Sequence, residues 1–156
     1  LVEIIRHMNQ DEKWMRYAII EAKKANKKNE IPVGSIIILN SKIIAKAYNQ
    51  PISKNDPTAH AEIQALRKAG KKQKNYRLNN ATLYATLEPC AMCLGAMIHA
   101  RIKRVVFGAF DFKTGVCGSC MNLNNEKFFN HKIAIEGGVL EEQCSQLLKS
   151  FFKRIR

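Results

Sequence analysis

With 156 residues, 46% of them hydrophobic, the chain is long enough to bury one core and too apolar to be disordered. Its longest apolar runs, such as Val33–Leu39, are far too short to cross a bilayer, and no secretory signal is visible, so a membrane-spanning or exported protein is not expected. The 26 Lys and Arg against 13 Asp and Glu leave a net charge of +13, which favours polyanionic partners, although a compositional bias toward Lys, Asn and Ile accounts for part of it.

In chain order, Leu1 stands where Met is the ordinary start. Met8 is therefore a candidate natural start, and residues 1–10 a candidate disordered or non-native extension of a single domain over 1–156. Asp11 is placed to cap a first helix in which Trp14, Tyr17, Ala18, Ala22 and Ala25 recur at helical spacing, closed by Lys23–Lys28 and Pro32. Val33–Leu39 is a β-branched run expected as a buried strand. Asn40-Ser41 is a tight turn and Lys42–Tyr48 a second strand, which makes a hairpin. Asn49–Pro57, with two prolines, reads as a loop. A helix is expected from Thr58 or Ala59 to Ala69, with Ile63, Leu66 and Ala69 inward and Gly70 ending it. Beyond the basic stretch Lys71–Asn80 come a strand Ala81–Leu87, an apolar helix Cys90–Ala100 and a strand Arg104–Phe107. A long Gly- and Asn-rich loop Asp111–Asn130, a short strand Lys132–Ile135, a turn at Gly137-Gly138 and a helix Val139–Arg154 complete the chain. This alternation predicts an α/β fold of three layers, α/β/α, around a central mixed five-stranded sheet with an antiparallel hairpin at one side.

The chemistry concentrates in His60-Ala61-Glu62 and Pro89-Cys90-Ala91-Met92-Cys93. Thiolate sulfur and imidazole nitrogen are the donors zinc prefers, and two cysteines spaced C-x2-C clamp one ion from a single turn. With His60 as third ligand, one position stays open for water, the arrangement of a catalytic zinc. Both segments enter helices, whose positive N-termini favour ionised thiols. His60 and Glu62 lie two apart, on roughly opposite sides of a regular helix, and converge only if the metal sits off the helix end. Two thiolates cancel the formal charge of zinc and weaken its effect on a bound water. A neighbouring base is then needed, and Glu62 is the candidate general acid and base.

His60-x-Glu62 with Pro89-Cys90-x-x-Cys93 resembles the signature of the cytidine deaminase-like zinc superfamily, whose fold and mechanism are already known. Within it, the chain is similar to the bacterial tRNA adenosine deaminases. The resemblance runs from Trp14 to Phe152 through Pro32-Val33-Gly34, Asp56-Pro57-Thr58-Ala59-His60-Ala61-Glu62, Thr86–Cys93, Arg104–Gly108 and Lys113-Thr114-Gly115. It implies hydrolytic conversion of adenosine to inosine at the wobble position of a tRNA anticodon loop, one zinc per subunit, a homodimer and no nucleotide cofactor. It also implies that Asn49 bonds the flipped adenine, that Glu88 lies at the pocket wall, that Asp111 and Lys113 belong to the loop along the RNA, and that Phe152 closes on it. Between Asn122 and Glu126 the family often carries other polar residues, and contacts expected of that loop do not transfer. Read from the residues alone, a loop asparagine such as Asn49 more often satisfies a turn backbone than touches a substrate.

Two alternatives stand beside this reading. An enzyme for free bases or nucleosides, of cytidine or guanine type, would share the zinc site; free-cytidine enzymes usually carry Cys in place of His60. A second pair, Cys117-Gly118-Ser119-Cys120, could join Cys90 and Cys93 in a four-cysteine zinc ribbon, although the interval between the pairs exceeds the usual one. Five cysteines, an odd number, point to reduced thiols and hence to the cytoplasm.

Overall fold

The computed structural model describes residues 1–156 except the side chains of residues 7 and 8, so the candidate start at Met8 lies outside the described residues. Helix α1 (Val2–Lys27) is followed by β1 (Gly34–Leu39), β2 (Lys42–Tyr48), the short α2 (Pro51–Lys54), α3 (Ala61–Gln73) and β3 (Thr82–Leu87). Then come α4 (Ala91–His99), β4 (Arg104–Ala109), a 3-10 turn at Leu123–Asn125, β5 (Ala134–Glu136) and α5 (Glu141–Ile155).

The strands form one sheet in the order β2-β1-β3-β4-β5. β1 is antiparallel to β2 and β3, whereas β3, β4 and β5 are parallel, the mixed sheet expected. Asn40 and Ser41 both take positive φ, 51° and 59°, and so build the two-residue hairpin turn whose twist matches the flanking strands. Strand β1 is apolar without alternation because both faces are covered. Ile37 packs with Ile63, Leu94 and Met97 beneath α3 and α4, while Ile36 and Ile38 pack with Met15, Ala18 and Ile19 of α1 and Cys144 of α5. Each fully buried Ile, Leu or Met among them contributes about 1.5–3 kcal/mol. At Gly34 a Cβ would lie 2.0 Å from the Ala18 carbonyl oxygen, so α1 crosses β1 in direct backbone contact.

Several boundaries differ from expectation. α1 begins before Asp11, which is buried inside it rather than capping it. The inward stripe is Met15, Ala18, Ile19, Ala22 and Ala25: the three alanines are as expected, but Met15 and Ile19 take the inner face, Tyr17 faces out and Trp14 is only partly buried against the cluster. α3 runs past Gly70 and ends at Gln73, capped by Lys74 in the left-handed conformation at φ 53°. The Asn49–Pro57 loop contains α2, whose amides at Ile52 and Ser53 donate to the buried Glu30 carboxylate. β5 starts two residues later than expected, at Ala134, and ends one later, at Glu136.

Topology gathers the chemistry at one edge. β2, β3 and β4 run in one direction, so their carboxyl ends bring Asn49, Glu88–Cys90 and Phe110–Thr114 together, the usual ligand-binding side of such sheets.

Candidate active site

His60 is not within a helix. It takes extended angles (φ −66°, ψ 152°) at the N-cap of α3, and Glu62 follows in the first turn. Cys90 occupies the same position on α4 (φ −81°, ψ 174°), with the buried Cys93 in its first turn. His60 and Glu62 converge because the first of them stands outside the helical repeat. The two helix N-termini meet, and their partial positive charge favours anionic sulfur between them.

His60 Nδ1 lies 3.7 Å from Cys90 Sγ and 3.5 Å from Cys93 Sγ, and the donor atoms of the three residues all lie within 4.8 Å of one another. Zinc bonds of about 2.3 Å to sulfur and 2.0–2.1 Å to nitrogen imply a tetrahedral N···S edge of about 3.6 Å, so this donor set fits the ion. Among the described residues no other group of His, Cys, Asp and Glu gathers this way. The Cys93 thiol donates to Glu62 Oε2 at 2.7 Å. Donation from Cys93, then contact with His60, holds the Cys90 thiol down to about 4. Cys93 is driven well above the ordinary range by its hydrogen bond to Cys90 and by burial. Two sulfurs that oppose each other's ionisation are a pair that a dication between them reconciles. Burial raises the Glu62 carboxyl, with Cys93 and His60 opposing the shift. The Cys90 hydrogen bond raises His60 against a smaller effect of burial.

A cavity of about 590 Å³ opens over this group. Its lining includes His60, Glu62 and Cys90, together with Asn49, Glu88, Asp111, Lys113 and Phe152, so every substrate contact expected from the sequence reaches one cavity; Cys93 lies behind it. A groove of about 700 Å³ between α3 and α4, lined by residues such as Leu66 and Tyr76, has no part of the thiol and carboxylate chemistry.

The residues differ in what they leave free. Asn49 is 7% exposed, and its backbone N–H donates to the Val33 carbonyl, yet among the described residues its side-chain amide has no protein partner. Glu88 reaches the wall, but its carboxylate is occupied by hydrogen bonds from Asp111, Cys117 and Ser119. The Asp111 carboxylate accepts from the Lys113 and Thr114 amides and the Thr114 hydroxyl, so it shapes the loop instead of facing the cavity alone. Lys113 is exposed; Phe151 is buried at 5% and Phe152 is 40% exposed. Phe110 and Phe112, which also line the cavity, were not anticipated. Phe110 packs edge-on against the core residue Phe107 at 5.2 Å and lies nearly parallel to Phe112, which is 80% exposed. The signal for them was present, as aromatics alternating beside Lys113.

The four-cysteine ribbon does not form. α4 follows the first pair directly, and the exposed Cys120 thiol points to the carbonyls of Phe112 and Asp111, at 3.1 and 3.9 Å.

This fold and donor set define a zinc-binding nucleobase deaminase domain, and residues 8–109 match the family described as the cytidine and deoxycytidylate deaminase zinc-binding region. The tRNA-specific adenosine deaminase of Haemophilus influenzae is 52% identical over 147 residues, 94% of this chain and 85% of that protein. That of Bacillus subtilis is 48% identical over 149 residues, 96% and 92% of the two chains. A structure solved in a study of A-to-I editing by tRNA:A34 deaminases at the wobble position superposes with a TM-score of 0.85 at 36% identity, covering 87% of this chain and 99% of that one. A guanine deaminase from Nitrosomonas europaea shares the fold, with a TM-score of 0.79 at 22% identity over 90% of this chain and 83% of that one. The chain belongs to the cytidine and deoxycytidylate deaminase zinc-binding family and, within it, to the tRNA-specific adenosine deaminases.

Proposed function

We propose that the chain, as one domain over 1–156, deaminates adenosine to inosine at the wobble position of a tRNA anticodon. The observation that carries this reading is one cavity holding the His60–Cys90–Cys93 group, the buried Glu62 carboxyl and the unpartnered Asn49 amide, beneath a rim of exposed aromatic and basic side chains. His60 Nδ1 and the sulfurs of Cys90 and Cys93 would hold zinc. When bound, zinc supplies a Lewis acid that makes a water nucleophilic near neutral pH. Glu62 would take a proton from the attacking water and deliver it to the purine ring nitrogen next to the carbon under attack. It would then take the proton left on the added hydroxyl and pass it to the departing amine, so that adenosine and water yield inosine and ammonia. Asn49, with donor and acceptor both free, holds the base edge. Phe110 and Phe112 offer stacking faces, and Lys113 a cation, to the nucleotides around it; anticodon bases are already unpaired, so extrusion costs little.

The family resemblance supports a homodimer, one zinc per subunit and action in the cytoplasm. Among the described residues no helix is long and apolar enough to cross a membrane. The alternative, a deaminase of free bases or nucleosides, is separated by incubating the zinc-loaded protein with total tRNA and with free nucleosides. Inosine at the wobble position of tRNA is expected; inosine from free adenosine alone would reverse the choice.

A further inference from the structure

We infer that Glu88 is a positioning residue, and that Cys117-Gly118-Ser119-Cys120 is a strap shaped to hold its carboxylate and so to fix the loop that lines the cavity. This rests on the proposed reading only for the identity of the substrate. Glu88 stands at the exit of β3, two residues before Cys90, and is 2% exposed. Its Oε1 accepts from the backbone amides of Cys117 and Ser119, both at 3.0 Å. Its Oε2 accepts from the Asp111 amide at 2.9 Å and from the Ser119 hydroxyl. A carboxylate offers about four lone-pair sites, and one loop fills them all.

The strap is built around that group. Gly118 takes φ +133°, a region closed to residues with a Cβ, and thereby turns the amides on either side of it toward one oxygen. At Gly115 a Cβ would lie 2.5 Å from Glu88 Cδ. The Cys120 amide donates to the Gly115 carbonyl, and the Val116 amide to the carbonyl of Pro89 beside Cys90. From Glu88 the order passes to Asp111, whose side chain fixes the Lys113 and Thr114 amides, and so to Phe112 and Lys113 at the cavity mouth. The segment that carries the second cysteine pair thus has a role, through its backbone amides and the Ser119 hydroxyl, that needs no metal. It registers the RNA-facing loop to the same turn that carries Cys90.

The test uses the zinc-loaded full chain and two variants. Glu88→Gln puts an amide donor where only donors converge. Ser119→Ala removes one donor at a residue that does not line the cavity. Each should raise amide hydrogen exchange at Asp111, Cys117 and Ser119, by about tenfold or more for Glu88→Gln. With an anticodon stem-loop as substrate, Glu88→Gln should raise KM about tenfold while kcat changes less than about threefold and zinc stays at one per chain. The double variant should lose less than the sum of the two, because both act on one contact. Unchanged exchange at those amides in Ser119→Ala would overturn the inference. So would a normal KM in Ser119→Ala beside inactive Glu88→Gln, which would place Glu88 on the substrate itself. Exchange is read without substrate, so it decides the clamp even if the tRNA reading fails.

Discussion

Glu62 and Glu88 are both almost fully buried, at 4% and 2% exposure, yet their partners differ, and the roles proposed for them differ accordingly. Every oxygen of Glu88 is held by donors of one loop, whereas among the described residues the Glu62 side chain accepts a hydrogen bond from the Cys93 thiol alone and faces the cavity. An acid that shuttles protons must keep such freedom. Glu62→Gln is accordingly expected to bind one zinc per chain and keep its fold while turnover falls by about 10²–10⁴, measured as inosine formed beside metal content. Cys117→Ser and Cys120→Ser should both retain the zinc. The donor triad was legible in the sequence because its spacing is local: one histidine and a C-x2-C turn, each at a helix start. The free amide of Asn49 and the occupied carboxylate of Glu88 were not, since they depend on partners that lie 23 to 31 residues away for Glu88 and on the absence of any for Asn49.

At the scale of elements, α1 departs most from its expected pattern and is tied to the sheet through Asp11. Asp11, read as a cap, instead accepts two hydrogen bonds from Arg104 of β4, at 2.7 and 2.6 Å, and one from the Tyr84 hydroxyl of β3 at 2.8 Å. Burial, then the hydrogen bond to Asp11, pushes the Tyr84 hydroxyl well above its ordinary value, which keeps it a donor. Removing the carboxylate leaves a half-buried guanidinium without its counter-charge. Asp11→Ala should therefore cost about 3 kcal/mol and lower Tm by roughly 6–12 °C in thermal melts. Local pattern located nearly every strand, because β-branched runs and a two-residue turn carry their own signal. It misjudged the phase of α1, where Trp14 and Tyr17 compete with Met15 and Ile19 for the inner face, and the sheet decides between them. It also missed α2, one turn long, which owes its amide partners to Glu30 some twenty residues earlier.

Across the whole molecule, the excess of +13 acts on association more than on folding. Lys113, Lys149, Lys153 and Arg156 flank the cavity mouth beside Phe152. Binding of an anticodon stem-loop should weaken steeply with added salt, by about 0.7 in log K per log unit of salt for each phosphate neutralised, and titration at several ionic strengths checks this. Free adenosine should show no such slope. The placement of the metal donors has a consequence beyond chemistry. His60 begins α3 and Cys90 begins α4, so one ion staples together two parts of the chain with a helix and a strand between them. It does so only in the folded state, where the three donors meet. By mass action, each tenfold rise in free zinc above its dissociation constant then adds about 1.4 kcal/mol to the stability of the domain, which makes its lifetime a readout of how much zinc its surroundings hold.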